Sequence, residues 1–235
     1  MNDPDAAQEG PIPSGLRERL ALVRGRVAEA AASAGRDPGD ITTIVVTKFH
    51  PVSLIEELHS LGVHDVGENR HQEAQAKAAA LASLGLTWHF VGQVQGKKAR
   101  QVRAYAQVIH SVDRVSLADA LRSEESTVDC FVQVNLTDDP ARGGAQPQDL
   151  DGLVERVQAT EGLRLLGLMA VAPLGVEPRR AFGRVRELGE RARLTAPGAT
   201  FLSMGMSQDY PEAISEGATH LRIGTAITGN RPVLG

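Results

Sequence analysis

The sequence predicts an α/β fold, a single (β/α)8 barrel of the TIM type with an extra N-terminal helix. Three observations carry this. Eight short apolar segments alternate strictly with helical segments, which argues for a parallel sheet. The chain has 235 residues, the size of a compact barrel of this kind. The rival, an open doubly wound sheet, should carry a glycine-rich dinucleotide fingerprint at an early strand–helix junction, and no G-x-G-x-x-G sits there.

Residues 1–14, "MNDPDAAQEGPIPS", are acidic and rich in Pro and Gly and read as a mobile tail, leaving 15–235 for the barrel. From Gly15 to Ala34 the residues Leu16, Leu20, Val23, Val27 and Ala31 recur every three or four positions, one face of an amphipathic helix. "GRDPGD" supplies turn chemistry, and "ITTIVVT" is apolar enough for a strand buried on both faces. In "PVSLIEELHSLG", Ser53 with Glu56 three residues on predicts a capping box. "HDVGEN", "WHFVGQ", "VIHSVD", "VDCFVQVNL", "LRLLGLMAVAP", "TFLSMGMS" and "THLRIGTAI" are the remaining strands. Between them lie the helices "RHQEAQAKAAALASLG", "KKARQVRAYA", "RVSLADALRSEE", "PQDLDGLVERVQAT", "EPRRAFGRVRELGERARL" and "DYPEAISEG".

Composition excludes several classes. A net charge of −4 provides no basic field for nucleic acid. The longest apolar run, "LLGLMAVAPL", is far below the ~20 residues of a membrane span. The tail lacks the basic and apolar regions of a secretory signal, so a cytosolic location is expected. Aromatics are only 3%, so Val, Leu, Ile and Ala must fill the core. The single cysteine, Cys130, lies in the apolar "VDCFVQV" and reads as a buried structural thiol. The seven histidines show no HExxH or paired Cys/His spacing, so no metal site is expected. His89 reads as structural, lining the barrel or capping a carbonyl. Lys97, Lys98 and "RVRELGERAR" read as solvated helix faces.

Barrel chemistry sits at the C-terminal strand ends. Lys48 ends the first strand. A lysine there either snorkels at the rim or is an amine whose pKa burial and a nearby cation depress, able to attack a carbonyl. Gly205 and Ser207 follow strand seven, and Gly224 and Thr225 follow strand eight, where barrels hold phosphate on backbone N–H groups and hydroxyls. Arg222 falls across the seam from Lys48 if strand eight pairs with strand one. Lysine, arginine and phosphate loops suit a phosphorylated aldehyde. Pyridoxal 5′-phosphate (PLP) held as a cofactor and a sugar phosphate in a Schiff-base aldolase both fit.

The motifs "VVTKFHP", "VGENRHQEAQAK", "WHFVGQVQGKK", "SVDRVSLADAL", "VQVNLTDDPARGG", "GLMAVAP" and "LSMGMSQDYPEAISEGATHLRIGTAITGNR" stand in one order over residues 16–232. On them the chain resembles the pyridoxal phosphate homeostasis proteins, a PLP-binding barrel family related to the N-terminal domain of alanine racemase. The resemblance implies that Lys48 carries PLP as an internal aldimine. It implies that Ser207, Gly224 and Thr225 hold the phosphate with backbone help near Met206, and that Arg222 faces the pyridine nitrogen. Asn69 and Met169 are then pocket residues near the cofactor, and Ser203 is a further candidate contact. An arginine there hydrogen-bonds an unprotonated ring nitrogen and disfavours carbanion chemistry. The implied role is to buffer PLP and deliver it to PLP-dependent apo-enzymes, as a monomer and without robust catalysis. The alternative is a small PLP-dependent amino-acid racemase or lyase. Racemases of this barrel add a C-terminal β-domain with a catalytic tyrosine. Here Tyr105 and Tyr210 fall inside the barrel's own segments, so a second acid/base is not expected. Phe49, Lys97, Arg142 and Thr228 depart from the family pattern, where Thr, Asn, Lys and an aromatic are usual.

Overall fold

A computed structural model describes residues 15–230; the predicted tail lies outside them. The elements run α1 (Leu16–Ser33), β1 (Thr42–Val46), α2 (Val52–Ser60), β2 (Asp65–Glu68), α3 (His71–Ala80), β3 (Thr87–Phe90) and α4 (Ala99–Arg103). They continue β4 (Val108–Val112), α5 (Val115–Ala120), β5 (Val128–Gln133), α6 (Leu150–Ala159), β6 (Leu163–Met169) and α7 (Pro178–Thr195). Then come β7 (Phe201–Ser203), α8 (Tyr210–Ser215), β8 (His220–Ile223) and a short α9 (Thr225–Thr228). The eight strands form a closed parallel barrel in sequence order. The seam closes between β1 and β8, with Ile44 opposite Arg222.

The amphipathic face predicted for α1 is the buried one: Leu16, Leu20, Val23, Val27 and Ala31. This helix packs on α8 and α9. Arg19 Nε donates to Ile227 O at 2.7 Å, and Arg36 Nη1 donates to Ile214 O and Ala218 O at 3.0 and 2.7 Å. The extra helix thus covers the seam side of the barrel. The capping box predicted at Ser53 does not form. α2 already begins at Val52, with Pro51 as its cap and no side-chain cap bond. The proline, with φ −71°, lets the helix start directly behind it, so Ser53 lies within the first turn and not before it. The sequence pattern also gave no sign of α9, only four residues long.

Two apolar layers divide the core. The larger lies between strands and helices and includes Cys130, fully buried, whose thiol burial pushes up to about 12. The smaller fills the barrel interior with Val108, Phe131 and Met169. Around Phe131 the interior is imidazole-rich. His110 stacks on its ring at 4.6 Å between centroids, and His220 meets it edge-on at 5.1 Å.

Burial, above all, holds His220 down at about 4. An unfolded chain takes up that proton near 6.5. Between these values the unfolded state binds more protons, so this contribution to stability is present above about 6.5 and is lost as pH falls toward 4. The full linkage is worth about 3 kcal/mol. His110, also held down mainly by burial, acts in the same direction. The thermal midpoint should fall across this window, and His220→Gln should flatten the slope. An unchanged slope in the variant would place the acid sensitivity elsewhere.

Candidate functional site

Lys48 stands two residues past β1, in a turn at the C-terminal mouth of the barrel. Of the two readings of Lys48, the lysine at the rim is the one met and the buried amine is not, because Lys48 is exposed. The strand ends at Val46, Thr47 stays buried, and the turn at Lys48 and Phe49 brings Lys48 out to the rim. The buried lysine of this region is Lys77, on α3, 5% exposed. Its Nζ donates to Thr47 O at 2.9 Å, Glu68 Oε1 at 2.7 Å and Glu73 Oε1 at 2.6 Å, which uses all three ammonium protons. Thr47 Oγ1 donates to the same Glu68 oxygen at 2.7 Å. Phe49 N–H donates to Glu73 Oε1 at 2.7 Å.

The residues before and after Lys48 are therefore both tied to α3. That tie matters because Phe49 has φ +68°, a left-handed conformation that a bulky side chain rarely adopts. The Arg70 guanidinium also lies over the Phe49 ring, 5.5 Å from its centroid. Sequence reasoning missed this clamp, although a signal existed. Lys77 falls on the buried face of α3 with Ala74 and Ala78, where helical spacing calls for an apolar residue.

Lys48, Asn69, Met169, Met206, Ser207, Arg222, Gly224 and Thr225 line one cleft of about 690 Å³. Eight of the nine residues expected from the sequence are brought together in this way. Arg222 is 5% exposed. Its Nη1 donates to Ser203 Oγ at 2.7 Å and its Nη2 to Ala170 O at 2.9 Å. Burial lowers its pKa to about 10, which leaves the guanidinium charged at neutral pH. Five N–H donors are available to an arginine, so the group can hold these two partners and still offer donors to a ligand. The ninth residue, Ser203, is fully buried behind Arg222 and does not line the cleft.

Asn69 follows β2, and its Oδ1 is buried with no partner among the described residues. Such an atom is costly unless a ligand or water meets it. Gly92 presses on its backbone: a Cβ at Gly92 would come within 2.2 Å of Asn69 O. At the other side, Ala226 N–H in the first turn of α9 points at Ser207 Oγ, 3.5 Å away. First-turn N–H groups lack intrahelical acceptors, so Gly224, Thr225 and Ser207 form a small donor cradle. The help expected from Met206 is different in kind. Its N–H already donates to Asp209 Oδ1 at 2.6 Å. The charged arginine, the donor cradle, the orphaned amide oxygen and an exposed primary amine fit a small anionic aldehyde such as PLP.

Other residues singled out from the sequence lie apart. Lys97 and Arg142 are exposed and outside the cleft. Thr228 is buried in α9. His89 is structural as expected, but it bonds Asp65 and His110 rather than a carbonyl. Neither tyrosine lines the cleft; Tyr105 stacks on His71 and burial pushes its pKa up. Among the described residues no helix is long and apolar enough to cross a membrane.

Comparison with known proteins gives the following. The family model for the N-terminal domain of alanine racemase matches residues 24–232. The pyridoxal phosphate homeostasis protein of Pseudomonas aeruginosa is 41% identical over 225 residues, covering 93% of this chain and 96% of that protein. The protein of the same name from Escherichia coli is 36% identical over 228 residues, covering 92% and 97%. PipY of Synechococcus elongatus, solved with PLP bound, superposes with a TM-score of 0.81 at 35% identity, covering 92% of this chain and 100% of that one. The alanine racemase of Corynebacterium glutamicum shares the fold at 16% identity and a TM-score of 0.68, with 62% of its chain covered.

Proposed function

The chain belongs to the alanine racemase N-terminal domain family, and from that premise we propose that it binds PLP in the cleft at the mouth of its barrel and serves PLP homeostasis. The observation that carries this reading is the convergence of Lys48, Arg222 and the Ser207–Gly224–Thr225 cradle on one cleft. The names of the homeostasis proteins and the PLP-bound PipY support it. PLP supplies an aldehyde that condenses reversibly with a primary amine, and a ring that draws electrons from the carbon attached to that nitrogen.

The chain's own residues then divide the work. Lys48 Nζ is the amine that holds the cofactor covalently. Gly224, Thr225 and Ser207 bind its phosphate. Arg222 donates to its ring nitrogen, and the orphaned Asn69 oxygen and Met169 complete the pocket. A donor that is charged at neutral pH beside the ring nitrogen disfavours protonation of that nitrogen, which weakens the electron sink. Neither tyrosine lines the cleft, and the one carboxylate that does, Asp209, accepts from the Met206 N–H. The site is built to keep an aldehyde and release it to PLP-dependent apo-enzymes, not to turn over amino acids.

The test is the absorption spectrum of the freshly purified protein, followed by borohydride and peptide mass spectrometry. A visible band that borohydride abolishes, with the reduced adduct on the peptide containing Lys48, is the expected result. A colourless protein that fails to retain added PLP would end this reading.

A further inference from the structure

Behind Arg222 a chain of hydrogen bonds crosses the barrel interior. Arg222 Nη1 donates to Ser203 Oγ at 2.7 Å. Ser203 Oγ lies 2.8 Å from His110 Nδ1. His110 Nε2 lies 2.9 Å from His89 Nδ1, and His89 Nε2 lies 2.9 Å from Asp65 Oδ1. The links come from β8, β7, β4, β3 and β2 in turn. Ser203, His110 and His89 are buried, whereas the Asp65 side chain is 34% exposed. Asp65 opens β2 and so sits at the N-terminal end of the barrel, away from the cleft.

The two ends of the chain dictate its direction. Arginine has only donors, and an ionised carboxylate only acceptors. Ser203 must accept from Arg222, which leaves its own proton for His110 Nδ1. His110 then carries its proton on Nε2 and donates to His89 Nδ1. His89 in turn carries its proton on Nε2 and donates to Asp65. Every donor meets an acceptor with both imidazoles neutral. The reverse direction would need a second proton on His89 and would leave the Ser203 hydroxyl proton without a place in the chain. A chain whose dipoles all point one way is strengthened cooperatively in a low-dielectric interior.

The geometry points to Asp65, His89, His110 and Ser203 as positioning residues for Arg222, a one-way relay that fixes the guanidinium at the cleft and anchors it to a carboxylate at the far end of the barrel. This deepens the proposed function, because it rests on Arg222 meeting the cofactor's ring nitrogen. It also gives Ser203 a role other than ligand contact. The low pKa to which burial confines His110 is consistent with its neutral form.

Two measurements test it. The first needs no cofactor: nitrogen-resolved NMR of the imidazoles in the cofactor-free protein near neutral pH. Both His89 and His110 should be neutral with the proton on Nε2. A proton on His110 Nδ1, or a cationic His89, would overturn the relay. The second is a double-mutant cycle on PLP affinity and on the absorption maximum of the bound cofactor. Asp65→Ala should weaken binding roughly fivefold and shift the maximum, while Asp65→Asn, which keeps an acceptor oxygen, should restore both. In a Ser203→Ala background, where the relay is already cut, Asp65→Ala should add nothing. Effects that multiply across the two backgrounds would refute the relay. If the wild-type protein binds no PLP, the proposed function fails, and the imidazole tautomers still decide this inference by themselves.

Discussion

Lys48→Ala should abolish covalent retention of PLP while leaving the fold intact. Lys48 is exposed in a turn and lies outside every apolar cluster of the core. Its truncation opens no cavity and leaves no buried partner unsatisfied, so the thermal midpoint of the cofactor-free protein should stay within the narrow range of surface substitutions, about 0.5 kcal/mol. The cofactor effect is all-or-none in kind, because no other primary amine lines the cleft among the described residues. The phosphate cradle and Arg222 remain, so PLP should still bind, weakly and reversibly. Borohydride treatment of the variant with added PLP should leave no adduct on any cleft peptide. An undiminished adduct, placed on another lysine, would show that the amine has been misassigned. A variant that lost its fold as well would show that the turn depends on this side chain, which the tie of Thr47 and Phe49 to α3 argues against.

The barrel and most of the cleft were readable in the sequence for a common reason. Parallel strands buried on both faces are continuous apolar runs, and the residue that ends each run faces the mouth. Reading the ends of eight runs therefore lists the mouth. Lys48, Asn69, Met169, Ser207, Gly224 and Thr225 were found that way or through the motifs they stand in, and one cleft holds them. What could not be read depends on contacts between distant positions. Lys48 looked buried because the apolar run continues to its edge, whereas the strand stops at Val46 and Phe49 turns left-handed. Ser203 looked like a ligand contact, but whether a strand-end residue faces the cleft or the interior depends on a single residue of register. The relay could not be foreseen either. His89 and His110 are 21 positions apart, and only the closed barrel sets them beside Ser203.

Lys77→Met should be the most destabilising single change near the site. A methionine matches the lysine stem in length, so packing is largely kept and the electrostatic loss dominates. The ammonium is the common partner of Glu68 and Glu73 and also caps Thr47 O. Removing one member of a buried ionic cluster costs about 3–5 kcal/mol, because the remaining charges lose compensation they cannot recover from water. Glu68 is 1% exposed, its second oxygen has no partner among the described residues, and burial already raises its pKa against the opposing pull of Lys77. Without Lys77 that rise grows, and the folded protein takes up a proton at Glu68 that the unfolded chain binds only at lower pH. A raised carboxyl pKa contributes stability that is present at low pH and lost as pH rises. The gap between wild type and variant should therefore widen toward alkaline pH and narrow toward acid. Glu68→Gln added to Lys77→Met should recover much of the loss, since the amide oxygen still accepts from Thr47 Oγ1 and Glu73 can turn its partly exposed carboxylate to solvent. The double variant still lacks the bond to Thr47 O, so Lys48 should remain poorly placed and PLP affinity low even where stability returns. If stability and affinity recovered together, the Lys77 cluster would be a structural support only, and the placement of Lys48 would have to come from Glu73 and Phe49.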